Sequence, residues 1–261
     1  MSNTSAVAHD PDALTPPGTS RALRLDVRAR LPLSLVVREG VHPIDPYAGK
    51  FAASMRLCED DRVLDMGCGA GAYGLAAAAK GARRVVATDV DPAAVACALE
   101  NARRNGFARR FTGDVGSLFQ PVARERFDVV VTTLPQLPAP RPVIATRYGG
   151  ADGLTLLREL AAQVGDHLET GGRLYALVTG WAGPERVAEL LSARGLSVRV
   201  AARAVRAFQP AEYEQHCPGL FAYLDEHTRD RDGKAYSRRG AWHYLRVEFL
   251  EATKRPSSRE R

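Results

Sequence analysis

The sequence has little cysteine and no long apolar run, and both absences exclude classes of protein. Its four cysteines, at positions 58, 68, 97 and 217, form no CxxC pair, so we predict neither a disulfide framework nor a metal site. No apolar stretch reaches the roughly 18 residues that a membrane span needs. The N-terminus shows no basic-then-apolar signal pattern. We therefore expect a cytoplasmic protein that does not associate with membranes.

Lysine is also scarce, because only positions 50, 80, 234 and 254 carry it among 36 basic residues. Arginine thus supplies most of the net charge of +6. The basic residues form no dense cluster, apart from the C-terminal tail KRPSSRER. This charge permits nucleic-acid binding but does not favour it.

The first part of the chain predicts a tail followed by a β-hairpin. Residues 1–20 are rich in Ser, Thr, Pro and Asp, which is typical of disorder. Residues 22–31 alternate strictly between apolar and charged side chains, as a half-buried strand does. After Pro32, the run LSLVVREGV predicts the hairpin partner. We assign residues 21–56 to this hairpin and its lead-in.

From residue 57 onward, strand and helix patterns alternate, which predicts an α/β fold with a doubly wound, Rossmann-like, mostly parallel sheet. One of these helices is predicted over 152–172. The runs LSVRVAARAVR and YLRVEFLEA both alternate with period two, and we expect them to pair antiparallel at one edge. An insertion over 209–243 separates them; it is dense in His and in aromatic residues such as Tyr213, and we predict that it binds the substrate. The main domain is predicted over 57–252, and a basic tail over 253–261.

The run VLDMGCGAGAYG, residues 63–74, lies at a strand-to-helix junction, where doubly wound sheets bind ligands. Gly67, Gly69 and Gly71 allow a tight turn and a close approach of a ligand to the backbone. The run contains a formal GxGxxG dinucleotide pattern. However, Asp65 precedes the first glycine by two residues, where a carboxylate repels a pyrophosphate and attracts an ammonium group. The full DxGxGxG pattern therefore favours S-adenosylmethionine over a dinucleotide.

Two further acids follow the next two strands. Asp89 can accept hydrogen bonds from both hydroxyls of a ribose, and Asp114 can hold an adenine amino group. Acids at the carboxyl ends of three consecutive strands are expected to meet at one edge of the sheet. We predict S-adenosylmethionine as the cofactor. Its predicted contacts are Asp65, Gly67, Cys68, Gly69, Gly71, Asp89, Val90, Asp114, Val115 and Thr133.

With these motifs the chain resembles the class I methyltransferases, and most closely the release-factor glutamine methyltransferases and their small-domain relatives that modify RNA bases. The resemblance covers roughly residues 23–180 and includes ATDVDPAAV, FDVVVTTLPQ and the GGxDGL-like run YGGADGL. It implies that residues 57–252 form a methyltransferase domain. That family carries a helical domain ahead of the hairpin which recognises its protein substrate, whereas only about twenty residues precede the hairpin here.

The resemblance also places the family's Asn-Pro-Pro-Tyr corner on Thr133, Leu134, Pro135 and Gln136. In that family the Asn side chain and a backbone carbonyl accept hydrogen bonds from a planar nitrogen, and the Tyr stacks on it. Here Thr133 offers a hydroxyl instead, and Gln136 cannot stack as Tyr does. The substitution argues against glutamine or adenine as the acceptor. We count the four corner residues among the predicted catalytic residues.

Three functions stay open on this basis. The first is methylation of a nitrogen or oxygen atom of a small molecule, with that molecule as the partner. The second is methylation of a protein side chain or an RNA base, and the third is non-catalytic binding of S-adenosylmethionine. A nucleophile that arrives protonated needs a general base. His42 and His243 are the predicted candidates, from two segments that we expect to cover the pocket; these segments also contain Tyr47, His216, Tyr236 and Trp242.

Overall fold

A computed structural model of the protein describes residues 21–25, 32–142, 144, 146–227 and 235–255. The predicted tail at 1–20 lies outside these residues. The strands are β1 (Arg21–Leu25), β2 (Leu33–Val37), β3 (Arg62–Met66), β4 (Arg84–Asp89), β5 (Phe111–Val115), β6 (Phe127–Thr132), β7 (Leu168–Thr179), β8 (Leu196–Phe208), β9 (Tyr236–Arg239) and β10 (Trp242–Lys254). The helices are α1 (Ala48–Ser54), α2 (Ala72–Ala79), α3 (Pro92–Arg104), α4 (Thr155–His167), α5 (Pro184–Ser192), α6 (Ala211–Glu214) and α7 (Leu220–His227), with a short 3-10 turn at Gln120–Val122.

The main sheet confirms the predicted fold class. Its strand order is β5-β4-β3-β6-β7-β10-β8, and β9 pairs with β10. The five strands from β3 to β7 are parallel to their neighbours in this order, whereas β10 runs antiparallel to both β7 and β8. The predicted antiparallel pairing of the last two long strands is confirmed. Of these two strands, β8 lies at an edge of the described sheet, and β10 lies between β7 and β8.

Both faces of the sheet are covered, which explains why its central strands are apolar without alternation. One core contains residues of α1, α2 and α3, including Phe51, Leu75 and Ala98. The other contains residues of α4 and α5, including Leu157 and Val187. Within the described part of the chain, no helix combines the length and apolar character that crossing a membrane requires.

The N-terminal hairpin pairs β1 with β2 antiparallel, as predicted. The predicted first strand extended to residue 31, and residues 26–31 lie outside the described part. Asn101 of α3 and its C-cap residue Asn105 bind the backbone of β2. Asn101 accepts the Val36 N–H at 2.9 Å and donates to the Val36 carbonyl at 2.8 Å. Asn105 makes the same pair of bonds to Ser34, so the hairpin is fixed against α3.

Two predicted boundaries were wrong. The helix predicted over 152–172 is α4, which ends at His167, and the following residues already belong to β7. The Gly-Gly pair explains the change: Gly171 has a φ of 78°, and a Cβ on Gly172 would lie 2.8 Å from the Glu169 carbonyl oxygen. Strand β10 continues to Lys254, two residues past the predicted domain end. Helix α1 was not predicted.

The insertion folds into α6, α7 and β9, and residues 228–234 lie outside the described part. Its aromatic side chains pack around Trp181 in a third core, with ring centroids 5.4 to 6.3 Å from the Trp181 ring. These rings belong to Tyr213, Phe221 and Tyr236 of the insertion and to Phe208 at the end of β8. Most aromatic residues of the insertion therefore form packing rather than a cavity wall.

Candidate functional site

The glycine turn between β3 and α2 is bound to the end of β4. The N–H groups of Gly67 and Cys68 both donate to the Thr88 carbonyl, at 2.8 and 3.0 Å. The N–H of Gly69 donates to Oδ2 of Asp89 at 3.0 Å. Gly67 and Gly69 have φ values of 68° and 50°, in the left-handed region that glycine adopts without strain. These contacts hold the turn open at the carboxyl edge of the sheet.

Asp65 supports this turn from below. Its side chain is fully buried, and Oδ2 accepts the N–H of Gly74 in the first turn of α2 at 2.8 Å. Burial away from water raises the pKa of the Asp65 carboxyl from 3.8 to about 7, against the opposing effect of that hydrogen bond. The predicted ammonium contact would need this carboxylate at the cavity surface, and the structure places it beneath the loop.

A cavity of about 320 Å³ opens above the glycine turn. Such a volume suits a ligand of nucleoside size. The predicted cofactor contacts that line the cavity are Gly67, Cys68, Gly69, Asp89, Val90 and Thr133. Leu118 also lines it in a left-handed conformation, with a φ of 49°.

The other predicted contacts lie outside this lining. Gly71 is the N-cap of α2, and a Cβ there would lie 2.9 Å from the Cβ of Ala98, so this glycine lets α2 and α3 approach. Asp114 and Val115 end β5 with exposed side chains. The two residues that follow them, Gly116 and Ser117, line the cavity.

Tyr73 gives an independent indication of a polar ligand. It lines the same cavity, and its hydroxyl is buried without a hydrogen-bond partner in the described part of the chain. A buried polar group without a partner costs about 1–3 kcal/mol. Together with the glycine backbone and the Asp89 carboxylate, this hydroxyl fits the polar groups of S-adenosylmethionine.

The proline-rich corner follows β6 and is fixed by two side chains. Thr132 donates its hydroxyl to the Met66 carbonyl at 2.9 Å, which binds the end of β6 to the end of β3. The buried Gln136 amide donates to the Leu177 carbonyl at 3.0 Å and to the Leu134 carbonyl at 3.3 Å. Its oxygen accepts the Thr179 N–H at 2.7 Å. Gln136 therefore fixes the corner to β7, and its polar atoms are already bonded within the protein.

A second, smaller cavity of about 130 Å³ lies on the other side of this corner. It shares a wall with the larger cavity. The residues that line both are His42, Pro43, Ile44, Asp45, Thr133, Leu134, Pro135 and Thr146. Three of the four predicted corner residues thus line both cavities, and Gln136 lines the smaller one.

The two candidate bases have different surroundings. His42 lies in the shared wall, and burial lowers its pKa below 6.5, with Asp45 opposing the shift and Arg147 adding to it. His243 is absent from the lining of both cavities, since its ring packs against Phe208, Phe221 and Tyr236 at 4.8 to 5.6 Å between centroids. This packing does not support a catalytic role for His243, and we do not retain it.

The sequence analysis did not single out two charged residues of the small cavity, Arg147 and Arg206, and it included Tyr213 only as one of the aromatic residues of the insertion. Arg147 donates to the Tyr213 hydroxyl at 3.0 Å, and Arg206 donates to the same oxygen. A signal did exist for Arg147, because it lies two residues before the glycine pair that opens the GGxDGL-like run. Arg206 and Tyr213 come from the end of β8 and from α6, and no motif marks them.

Comparison with known proteins agrees with this geometry. The family described as ribosomal protein L11 methyltransferase (PrmA) matches residues 51–134. A Methanocaldococcus jannaschii protein, provisionally named a protein N5-glutamine methyltransferase, is 31% identical over 147 residues, which span 54% of this chain and 73% of the relative. The release factor glutamine methyltransferase of Moorella thermoacetica is 36% identical over 193 residues, spanning 69% of this chain and 60% of the relative.

Among solved structures, a T. thermophilus 16S rRNA N2 methyltransferase in complex with AdoMet and guanosine superposes with a TM-score of 0.58. It is 19% identical, and the match covers 92% of this chain and 52% of that one. At this identity the likeness concerns the fold. The chain spans between about half and three quarters of these proteins. The chain belongs to the class I S-adenosylmethionine-dependent methyltransferases, and its domain is homologous to those of the release factor glutamine and ribosomal protein L11 methyltransferases.

Proposed function

We propose that this methyltransferase transfers a methyl group to a nitrogen or oxygen atom of a small molecule that occupies the smaller cavity. The observation that carries the proposal is the wall shared by the two cavities, which contains Thr133, Pro135 and His42. Because the two cavities adjoin along these residues, ligands bound in both bring an acceptor atom close to a methyl donor without exposing them to bulk solvent. Such positioning supplies much of the rate enhancement of a bimolecular transfer.

S-adenosylmethionine supplies an electrophilic methyl carbon on a sulfonium, and transfer joins that carbon to the acceptor atom while the carbon–sulfur electron pair stays on sulfur. The chain's residues hold and deprotonate the acceptor. His42 is neutral at pH 7, because its pKa lies below 6.5, and a neutral imidazole can take the proton that an N–H or O–H acceptor loses. The Thr133 hydroxyl in the same wall can orient the acceptor atom through a hydrogen bond.

The corner distinguishes this proposal from glutamine methylation, the activity named for several relatives. An amide nitrogen has a delocalised lone pair, so it needs hydrogen-bond acceptors that hold it in line. Here the Leu134 carbonyl already accepts a hydrogen bond from Gln136. The polar atoms of the Gln136 side chain are hydrogen-bonded to β7 and do not face a methyl acceptor. A nucleophile activated by a base fits this wall better than an amide does.

The test is incubation with methyl-labelled S-adenosylmethionine and host extract, followed by separation into small molecules, protein and RNA. We expect label among the small molecules, and none with Asp89→Ala, which removes a carboxylate from the cofactor cavity. Label in protein glutamine or in RNA would overturn the choice of acceptor. Binding of S-adenosylhomocysteine without transfer to any fraction would favour a non-catalytic binding protein.

A second variant addresses the corner directly. Thr133→Asn restores the amide side chain that the glutamine-methylating relatives are expected to have at this position. If glutamine methylation of a protein then appeared, the corner chemistry alone would be limiting. We expect no such gain. Gln136 still stands where the stacking ring is expected in those relatives, and its amide still donates to the Leu134 carbonyl.

A further inference from the structure

The segment that precedes α4 brings a guanidinium into the smaller cavity. The N–H of Leu137 donates to the Arg147 carbonyl at 2.7 Å, and the N–H of Gly149 donates to the Leu137 carbonyl at 2.9 Å. Close backbone packing allows this pairing, because a Cβ on Gly149 would lie 2.5 Å from the Cα of Gln136. Arg147 is thus positioned by the same corner that lines both cavities.

The two arginines of the smaller cavity differ in their ionic partners. Arg206 is paired with Glu212, whose Oε2 lies 3.0 Å from its Nη2, and both side chains are largely buried. Within the residues that the structure describes, the Arg147 guanidinium has no ion-pair partner, and its side-chain hydrogen bond goes to the neutral Tyr213 hydroxyl. The guanidinium has five N–H donors, so most of them are available to a ligand. One half-buried positive charge therefore faces the cavity.

We propose that the methyl acceptor carries a carboxylate, and that Arg147 binds it while Arg206 and Tyr213 hold the guanidinium in place. The inference rests on the proposed function, because it assigns the small cavity to the acceptor. A planar guanidinium matches a carboxylate through two parallel hydrogen bonds. Arg147 forms no ion pair in the described part of the chain, and the Asp45 carboxylate in the same lining disfavours a doubly charged anion, which favours a carboxylate over a phosphate.

The arrangement also indicates how this acceptor is oriented. Arg147 lines only the smaller cavity, whereas His42 and Asp45 lie in the wall shared with the cofactor cavity. The Asp45 carboxylate repels an anion from that wall, and Arg147 attracts it to the other side. The carboxylate is therefore the group that anchors the acceptor, and a separate N–H or O–H of the same molecule reaches His42 and is methylated.

The test measures weak ligand binding to the full chain by fluorine NMR in the presence of saturating S-adenosylhomocysteine. The probes are 4-fluorobenzoate, its neutral analogue 4-fluorobenzamide and the phosphate analogue 4-fluorophenyl phosphate. The variants are Arg147→Gln and Arg147→Lys. Arg141→Gln is the matched control, because Arg141 is an exposed arginine of the same segment that lines neither cavity.

We expect the wild type and Arg141→Gln to bind 4-fluorobenzoate in preference to the benzamide. Arg147→Gln should weaken that binding roughly 10- to 100-fold, the effect of losing a charge-assisted hydrogen bond, and Arg147→Lys should weaken it less. Retained S-adenosylhomocysteine binding shows that each variant is folded.

Equal binding of the acid and the amide, or an unchanged affinity in Arg147→Gln, would overturn the inference. Preference for the phenyl phosphate, or displacement of the probe by a short single-stranded RNA, would also overturn it and assign the guanidinium to a phosphate. Failure of the wild type to bind S-adenosylhomocysteine would overturn the proposed function itself, and so is distinguishable from these outcomes.

Discussion

Replacing Asp65 with Asn should make the protein's stability less dependent on pH. The buried Asp65 carboxyl has a pKa of about 7 in the folded protein against 3.8 when exposed, because burial disfavours its charged form. Since the folded-state pKa is raised, the contribution to stability is fully present below pH 3.8 and is lost as the pH rises through about 7. At about 1.36 kcal/mol for each pH unit, this loss amounts to about 4 kcal/mol.

The asparagine variant keeps the critical contact, because an amide oxygen can accept the Gly74 N–H that Oδ2 of Asp65 now accepts. Urea denaturation of both proteins between pH 4.5 and 8.5 measures the difference in unfolding free energy. We expect the variant to gain about 3 kcal/mol of stability relative to the wild type across this pH range, because part of the total loss already occurs below pH 4.5. Asp114→Asn, which removes an exposed carboxylate at the end of β5, is the control.

A difference between wild type and Asp65→Asn that stays constant over this pH range would refute the reasoning. It would mean that water reaches the carboxylate, or that the glycine turn relaxes around it. A gain of stability toward low pH in the variant would contradict the sign of the pKa shift. Either result would also remove the explanation for the position of this acid beneath the loop.

Three further outcomes follow from the site. Gln136→Leu should lower the unfolding free energy by about 2–5 kcal/mol in urea denaturation, because the buried Thr179 N–H and Leu177 carbonyl lose their partner; an unchanged stability would show that water replaces the amide. Asp89→Ala should weaken S-adenosylhomocysteine binding, measured by calorimetry, at least about 10-fold. Asp114→Asn, outside the cavity lining, should change this affinity by no more than about twofold. Equal losses of affinity in the two variants would place Asp114 in the site. In the wild type, the methylation rate should rise with pH through a midpoint below 6.5 as His42 loses its proton. The His42→Gln variant should lose this pH dependence, and its rate should be about 10²- to 10⁴-fold lower. The same pH profile in the variant would exclude His42 as the base.

Local signals in the sequence were sufficient for the helices with clear end signals. Helix α3 begins after Asp91, whose side chain accepts the Ala93 N–H at 2.8 Å, and has Pro92 at its first position, as predicted. Helix α4 was predicted too long because its apolar period continues into β7. The pairing of Leu168 with Phe127 across the sheet, together with the Gly171-Gly172 pair, makes those residues a strand.

Much of the lining of the cofactor cavity could also be predicted from local sequence signals. Gly67, Gly69 and Asp89 lie within short motifs at the ends of adjacent strands, and parallel strands bring such ends together. The sequence could not show that Asp65 points beneath the turn, because the direction of its side chain depends on α2 packing above it. It also could not separate Gly71, which serves helix packing, from the glycines that line the cavity.

By itself the sequence determined the α/β class, the order of the elements and a glycine turn for a methyl donor, because all of these are set by spacing and by residue types within about thirty positions. Only the tertiary structure decided what lines the acceptor cavity. Arg147, Arg206 and Tyr213 lie on three separate segments. They meet for two reasons. The corner after β6 forms backbone hydrogen bonds with the segment before α4, and Tyr213 of α6, which follows β8 in the chain, packs against Trp181.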